Sequence, residues 1–492
     1  MSRRPPGTAS GIAARVFGLV LIVVLIAGLV VLEHGTSPTP PNIERRASAV
    51  DGPTVPSSDA VSVAWFCAEG TAIEGGRADE TVVIGNLATH PIEATVTVMR
   101  GESGPPVVER RTIPALAQER VAVSDLVDEE QPGVVVEILG GPAIVEHELR
   151  GNEDLAVGPC ARAASREWYF AGGTTVRGAQ EWLTLFNPFG QDAIVDVSFL
   201  TASSREEPNE TQALAVPRRS RVSIPVHDQV LREERLATEV HARIGRVVAE
   251  RTLVFDGTDT RKGLAVSLGV YGSATHWWLP VGDAASGTAQ SISIANFSEH
   301  SAQVDLTVTL GDETALEPQR INVSAESVER VELGDRVPVG GAYTLEVKAI
   351  GGTPVVVEAF GTWATPAPVT GIASTPGSAS RARRWAFTLG RPDDATDAII
   401  SAINVSTRPI TVQLYAYTAG DPNSPSSAPA RAVAPGERAE FRLSEIGIRP
   451  DQVIVIEADG LIVVGRLILS PSPSPSPGGG ASISAGIPDL ER

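Results

Sequence analysis

Few residues in this sequence have the spacing that catalysis or metal binding requires. The histidines form neither an H-x-x-x-H nor an H-E-x-x-H pattern, and the cysteines are not paired at zinc-ligand spacing. The histidines are His34, His90, His147, His227, His241, His276 and His300. No nucleophile elbow, Walker A loop or dinucleotide fingerprint occurs, and no Ser, His and Asp set stands out as a triad. We therefore predict a protein with no metal, no cofactor and no enzymatic activity.

The acidic segments are a poor metal site. Glu146 and Glu148 flank His147 on a predicted strand, so the two acids lie on one face and the imidazole on the other. The acidic stretches 125–130 and 146–154 lack the ordered alternation of acids that a calcium loop needs. We interpret these stretches as solvated loops.

Two cysteines, Cys67 and Cys160, are the whole thiol content of the chain. If the protein faces an oxidising compartment, they are expected to form a disulfide. The chain-entropy model assigns about 4.5 kcal/mol to a loop of this size, as an upper figure. The alternative is a pair of buried free thiols.

A pattern of Trp, Asn, Arg and Glu recurs four times. Each copy opens with a Trp, an Asn follows 19 or 21 residues later, and an Arg follows that Asn by 34 residues. A closing Glu ends three copies, and Gly465 takes its place in the fourth. The positions are Trp65, Asn86, Arg120 and Glu146; Trp168, Asn187, Arg221 and Glu250; Trp277, Asn296, Arg330 and Glu358; and Trp385, Asn404 and Arg438.

These recurring residues are predicted to be structural. An Asn at a strand end can bond its own backbone in an Asx-turn. The recurring Arg is expected to pair with the closing Glu, and Arg438, which lacks that partner, is expected to be solvated or to pair with Glu457. The Trp residues are expected to fill core ends, although His276, Trp277 and Trp278 form the densest aromatic cluster and could contact a carbohydrate.

Apolar residues alternate with polar ones within each copy, which is the period of a half-buried strand. After Asn187, for example, Val195, Val197 and Phe199 share one face. Seven or eight such strands per copy of roughly 100 residues predict an all-β fold of four tandem immunoglobulin-like antiparallel β-sandwiches. The alternative is an eight-bladed β-propeller with two blades per copy.

The N-terminus contains an uncharged apolar run from Val16 to Leu32. At about 1.5 Å per residue a helix of this length just crosses a bilayer. Arg3, Arg4 and Arg15 precede the run, so the positive-inside rule predicts a cytoplasmic N-terminus and an extracytoplasmic remainder. The alternative is a cleaved signal peptide, whose apolar region is usually shorter.

The composition excludes one class of partner. The net charge is −19 and no basic block occurs, so nucleic acid binding is not expected. Only Lys262 and Lys348 are lysines, a bias that we attribute to a GC-rich genome.

The predicted domain organisation follows from these signals. The segments are a cytoplasmic N-terminus (1–11), a transmembrane signal anchor (12–34), a Pro/Ser-rich stalk (35–62), and repeats over 63–163, 164–272, 273–380 and 381–492, the last with a Ser/Pro/Gly-rich insertion at 470–480.

The segments WYFAGG, EWLTLFNP, SRVSI and VVAERTLVF between Trp168 and Phe255 resemble a tandem repeat of secreted bacterial surface proteins. With the single span and the stalk, the chain resembles an actinobacterial family of extracytoplasmic proteins of unknown function. The resemblance implies an envelope location and no particular activity. We therefore expect a membrane-anchored, non-enzymatic binding or scaffolding protein whose partner is an envelope protein or a cell-wall polymer. The alternative is a protein that binds cell-wall glycan or peptidoglycan through Trp277 and Trp278.

Overall fold

The structure is a computed structural model, and it describes residues 51–151, 154–280, 282, 285–311, 315–334, 336–338, 340–388, 391–419, 421–471 and 479–490, without the side chains of Glu102 and residues 421–423. The predicted anchor, most of the predicted stalk and residues 472–478 of the insertion lie outside this part of the chain. Among the described residues, none of the helices has the length and apolarity of a membrane span.

The first unit contains eight strands in two antiparallel sheets, with the orders β1-β6-β3-β4 and β5-β2-β7-β8. The strands are β1 (Ser62–Cys67), β2 (Asp79–Asn86), β3 (Ile92–Met99), β4 (Val107–Ile113), β5 (Gln118–Ala122), β6 (Gly133–Leu139), β7 (Ala143–Arg150) and β8 (Leu155–Pro159), with 3-10 turns at Gly101–Ser103 and Val123–Asp125. Apolar residues from the inner faces of both sheets share one core, so the unit is a sandwich.

The second unit repeats this order, with β12 and β13 together in the place of β4. Its strands are β9 (Glu167–Gly173), β10 (Ala179–Asn187), β11 (Ala193–Leu200), β12 (Arg205–Glu206), β13 (Leu214–Val216), β14 (Ser220–Pro225), β15 (Leu236–Ile244), β16 (Val248–Asp256) and β17 (Lys262–Leu268), with a 3-10 turn at Asn209–Thr211 and the short helix α1 (Val226–Gln229).

The third unit has the same two sheets, with the orders β18-β23-β20-β21 and β22-β19-β24-β25. Its strands are β18 (His276–Leu279), β19 (Thr288–Asn296), β20 (Ala302–Leu310), β21 (Gln319–Val323), β22 (Ser327–Glu332), β23 (Tyr343–Ala349), β24 (Val356–Trp363) and β25 (Gly371–Pro376).

The fourth unit differs because one long strand, β32, runs through both sheets. Its first part pairs with β26 and β28, and its second part pairs with β27 and β33. The strands are β26 (Ala382–Phe387), β27 (Asp397–Asn404), β28 (Ile410–Thr418), β29 (Asp421–Ser427), β30 (Arg431–Val433), β31 (Arg438–Arg442), β32 (Val453–Ser470), β33 (Gly480–Ala485) and β34 (Ile487–Asp489).

The all-β prediction is confirmed: the described chain forms antiparallel sheets packed as sandwiches, and none of them closes into a barrel. The immunoglobulin-like type is not confirmed, since an immunoglobulin domain joins its strands in the orders ABED and CFG, whereas here the first and second strands of a unit lie in different sheets.

The four units close into a ring through their last strands. Strand β8 contacts β17, β17 contacts β25, β25 contacts β33, and β33 returns to β8. Glycines allow two of these close approaches, because a Cβ on Gly263 would lie 2.7 Å from the Ile372 nitrogen, and one on Gly371 would lie 2.6 Å from the Ala481 nitrogen. The arrangement combines the sandwiches of the main prediction with the ring closure of the propeller alternative.

The segment that precedes β1 is packed onto this ring, which corrects the predicted boundary of the stalk at residue 62. Asp51 accepts hydrogen bonds from the amides of Ala379 and Ser380, both at 2.9 Å, and from the Ser378 and Ser380 hydroxyls. The Val55 amide donates to the Pro488 carbonyl at 2.9 Å, and the Val55 side chain lies in the first unit's core. Residues 51–56 therefore connect the first, third and fourth units.

Replacing Asp51 with Ala is expected to loosen this connection, because the amides of Ala379 and Ser380 lose a charged acceptor. We expect hydrogen exchange at Val55, Ala379 and Ser380 to accelerate about tenfold, equivalent to about 1.4 kcal/mol. The exposed Asp128→Ala is the control. Unchanged protection in the Asp51 variant would show that the segment is held by its apolar contacts alone.

Candidate functional site

The four recurring Trp residues are fully buried in the cores of their units. The indole of Trp168 donates to the Val247 carbonyl, and that of Trp277 to the Val355 carbonyl, both at 2.8 Å. Trp385 donates to the Ile462 carbonyl at 3.1 Å, and Trp65 is likewise buried. Because no face of these rings is accessible, the predicted ligand contact at Trp277 is wrong, and this residue is part of the core.

The recurring Asn residues each hold the turn that follows the second strand of a unit. The Asn86 side chain accepts from the Ala88 amide at 2.8 Å and donates to the carbonyls of His90 and Pro114, both at 2.9 Å. Asn187, Asn296 and Asn404 make the equivalent bonds. The structure thus places these residues in Asx-turns that also connect to the strand preceding the recurring Arg.

The predicted pairing between the recurring Arg and the closing Glu is not present in the structure. Arg120 donates to Glu148 instead of Glu146, at 2.9 Å, and Arg330 pairs with Glu332 at 2.9 Å. Arg221 of the second unit donates to the first unit's Ala68 carbonyl at 2.7 Å. The strand that carries the recurring Arg is an edge strand of its sheet, and Arg120 reaches the closing strand β7 only at Glu148, two residues beyond the closing Glu.

Arg438 is neither solvated nor paired with Glu457. It donates to the carbonyls of Pro280, Gly282 and Tyr343 in the third unit and to Glu440 in its own. Glu457 pairs with Arg384 at 3.0 Å. Backbone carbonyls of the neighbouring unit therefore replace the carboxylate that was expected.

The closing Glu residues instead contact the preceding unit of the ring. Glu358, on β24 of the third unit, pairs with Arg251 on β16 of the second unit, and both side chains are buried. The other Glu358 oxygen accepts from the Gly172 amide at 2.8 Å, and Arg251 also donates to the Ser374 hydroxyl at 3.0 Å. This junction thus has a buried ion pair with additional hydrogen bonds on both partners.

The junction between the fourth and first units repeats this geometry. Glu146, on β7, accepts from Arg466, on β32, at 2.7 Å, and both side chains are completely buried. Glu146 also accepts from the Thr388 amide at 2.8 Å, and Arg466 donates to the Ser484 hydroxyl at 2.9 Å. The Arg466 guanidinium lies over the Phe387 ring, 4.7 Å from its centroid.

The junction between the first and second units uses a histidine in place of Arg. The His147 Nε2 lies 3.6 Å from Glu250, and its Nδ1 lies 3.2 Å from Glu80. Glu250 also accepts from the Glu69 amide at 2.8 Å. Burial alone would lower the pKa of His147, but Glu250 and Glu80 raise that pKa to about 9. Burial raises the pKa of Glu250 to about 7 and also raises the pKa of Glu80.

The junction between the third and fourth units lacks both charges. Gly465 stands at the position of the closing Glu, and Ala359 stands at the position of the cation that this Glu would meet. A lone buried charge would be strongly destabilising, so the two replacements are mutually consistent. Three junctions of the ring therefore contain a buried Glu–cation pair, and the junction between the third and fourth units, which we call the neutral junction, does not.

Arg251, Arg466 and His147 are the residues that the sequence analysis missed. Each directly follows the strand position of the closing Glu, so its side chain points to the opposite face of the sheet, toward the next unit. The sequence contains a pattern that could have identified these cations. A cation directly follows the closing-Glu position in three units, and the exception, Ala359, belongs to the unit that precedes the one with Gly465.

The predicted disulfide is present between Cys67 and Cys160, at the two ends of the first unit. Among the described residues, the one His, Cys, Asp or Glu group close enough to hold a metal is Cys67, His147 and Cys160. Because its two sulfurs form the disulfide, this group does not fit a thiolate metal site.

Trp278 has a different environment from Trp277. It is 7% exposed, stacks on the His276 ring with centroids 3.7 Å apart, and lies under the Arg381 guanidinium. His276 pairs with Glu346 at 2.5 Å. These residues line a cavity of about 230 Å³ between the third and fourth units.

Comparisons with known proteins give a family match over part of the chain. Residues 145–263 match the model described as "Family of unknown function (DUF5719)". This supports a relationship to an uncharacterised family and covers less than half of the chain. No curated protein matches the sequence.

Solved structures give only distant similarity. Thermotoga maritima 1070 is 18% identical, with 21% of this chain and 93% of that chain covered and a TM-score of 0.20. The Anabaena sensory rhodopsin transducer is 20% identical, with 18% and 95% covered and a TM-score of 0.16. A Bacteroides uniformis β-glucuronidase is 9% identical, with 68% and 28% covered and a TM-score of 0.12. Scores this low support no structural or functional conclusion.

The junction between the first and second units should weaken as pH rises. The folded-state pKa of His147 exceeds its ordinary value of 6.5, so its contribution to stability is complete below pH 6.5 and is lost as the pH rises through about 9. The raised pKa of Glu250 acts in the same direction, between its ordinary value of 4.5 and about 7.

We expect the melting temperature of the wild type to fall between pH 6.5 and pH 10. The His147→Gln variant should lose most of the fall above pH 7 and be less stable at pH 6 by about 3–5 kcal/mol, since one partner of a buried pair is removed. His241→Gln, at an exposed histidine paired with Glu167, is the matched control. Equal pH profiles for the wild type and the His147 variant would contradict this assignment.

Proposed function

We propose that this chain is a membrane-anchored, extracytoplasmic, non-enzymatic binding or scaffolding protein of the bacterial cell envelope. The proposal includes an N-terminal signal anchor in residues 12–34, an actinobacterial source and an ectodomain made of four copies of one β-sandwich repeat. An envelope protein or a cell-wall polymer is the proposed partner, and nucleic acid is not.

The observation that carries the proposal is the use of the buried charges. The side chains best suited to acid-base chemistry, Glu146, Glu250, Glu358 and His147, contact neighbouring units in the interior of the ring. Groups that are fully buried and paired can hold units together but cannot reach a substrate. The placement of these buried acids and this histidine at the junctions supports a rigid protein that presents binding surfaces, and it does not support a catalytic cleft.

The outer edges of the sheets offer binding surfaces on this platform. Strand β4 is the last strand of its sheet, and its outward residues alternate with half-buried ones, with Val108 52% exposed. Strand β21 occupies the same edge in the third unit. An extended segment of a partner can pair with such an edge through main-chain hydrogen bonds.

The disulfide and the apolar N-terminal run support the location. Disulfides persist in oxidising, extracytoplasmic compartments, and the arginines before the run favour a cytoplasmic N-terminus. A second candidate function, recognition of a wall glycan, is favoured by the polar cavity beside Trp278.

The location can be tested on spheroplasts that express the full chain with one epitope tag at each terminus. We expect added protease to remove the C-terminal tag and to leave the N-terminal tag intact until detergent is added. The control is a cytoplasmic protein that must remain intact in the same sample. Protection of the C-terminal tag before lysis would contradict the proposed topology.

The binding role can be tested in the same cells by cross-linking and affinity purification of the full chain. We expect a defined envelope protein or wall polymer to be retained, and retention to fall when Val108 on the β4 edge is replaced by Pro. Proline removes a backbone donor and blocks strand pairing. Equal retention by this variant would exclude the β4 edge as the binding surface.

A further inference from the structure

We infer that the junction between the third and fourth units is a binding site for a neutral oligosaccharide. This inference rests on the proposed binding function and assigns a place and a ligand class to it.

The packing between neighbouring units changes at this junction. The outer face of each unit's first sheet contributes side chains to the core of the next unit, and the third unit contributes Trp278 to the core of the fourth. In the first unit this face presents Phe66 opposite Val135, and in the fourth it presents Ala386 opposite Val455. In the third unit the equivalent pair is Trp278 opposite Glu346, so a carboxylate stands where the first and fourth units have an apolar side chain.

The second unit also has an acid at this position, Glu239, but there the acid is part of the contact with the third unit. Glu239 pairs with Arg205 at 2.7 Å, and Arg205 reaches Glu326 of the next unit at 3.4 Å. Tyr169 packs on Phe297 of that unit with ring centroids 4.9 Å apart. Glu346 instead bonds to His276 of its own unit and lines a cavity between the third and fourth units.

The space left open has the size of a ligand site. The cavity beside Trp278 has a volume of about 230 Å³, and a second cavity of about 200 Å³ shares Thr309, Thr344 and Gly436 with it. Together the two volumes fall within the roughly 300–1,000 Å³ of small-molecule sites. Their shared lining makes one elongated groove, which we call the seam groove.

The lining of the seam groove supplies groups for hydrogen bonding. The hydroxyls of Thr309 and Thr344 have no hydrogen bond to another described residue, and exposed Arg381 has no carboxylate partner among them. The His276 ring is 31% exposed and is held by its stack on Trp278. A fixed aromatic ring beside hydroxyl and guanidinium donors suits a ring-shaped, polyhydroxylated ligand.

The charge of the seam groove favours a neutral ligand. Arg381, Arg431 and Arg438 line it, and so do Glu346, Glu437 and Glu440, which gives equal numbers of positive and negative side chains. A polyanion would gain no net attraction from such a lining, and the overall charge of −19 would oppose it.

The test is calorimetric titration of the full chain, in a detergent without a sugar headgroup, with two neutral hexasaccharides, chitohexaose and cellohexaose. We expect at least one of them to bind with a stoichiometry of one. Arg381→Ala and Thr344→Val should each weaken this binding about tenfold, with melting temperatures unchanged. Arg320→Ala, at an exposed arginine of the third unit paired with Asp305, is the matched control and should bind as the wild type does.

Three results would overturn the inference: no heat of binding with either hexasaccharide, equal binding by the wild type and both variants, or preferential binding of an acidic hexagalacturonate. A failure here is separable from a failure of the proposed function. If cross-linking still captures an envelope partner, the scaffold role stands and the seam groove is not its site.

Discussion

The rest of the structure depends on one type of contact, in which a carboxylate of one unit meets a cation of its neighbour inside the ring. Glu146 with Arg466, Glu358 with Arg251, and Glu250 with His147 are buried and carry further hydrogen bonds. Desolvation makes such pairs costly, so their net contribution to stability is small when compared with apolar packing. Their effect is on specificity, since most other orders of the units would leave a charge buried without its partner.

This constraint explains how four similar units close into one ring instead of a linear array. The last strands β8, β17, β25 and β33 come together at the centre, where glycines allow their backbones to approach closely. Apolar faces alone would permit several neighbours for each unit. The charged contacts reduce this number, because only two of the six possible cyclic orders pair each closing Glu with a cation and place Gly465 beside Ala359. The neutral junction is also the one that contains the seam groove.

Much of the fold could be predicted from the sequence, because it follows from local rules. Alternating apolar residues set the strands, Asn at a strand end sets an Asx-turn, and Trp at a strand start fills a core. The topology could not be predicted in the same way. The placement of the first two strands in different sheets depends on contacts between distant segments, which the apolar period does not encode. The predicted pairing of Arg120 and Arg221 with the closing Glu was wrong for this reason: the closing Glu meets a cation of the preceding unit in the ring, so Arg120 bonds to Glu148 and Arg221 to the Ala68 carbonyl.

The most direct test of the account is a double-mutant cycle on Arg251 and Glu358, followed by thermal unfolding of the full chain. Arg251→Met and Glu358→Gln should each destabilise the protein, and the double variant should be more stable than the sum predicts, with a coupling of about 1–3 kcal/mol. The exposed pair Arg320 and Asp305 gives the reference, for which a coupling below about 1 kcal/mol is expected. If the two buried substitutions add to within about 0.5 kcal/mol, the two charges are not coupled across the junction, and they cannot select the neighbour of each unit.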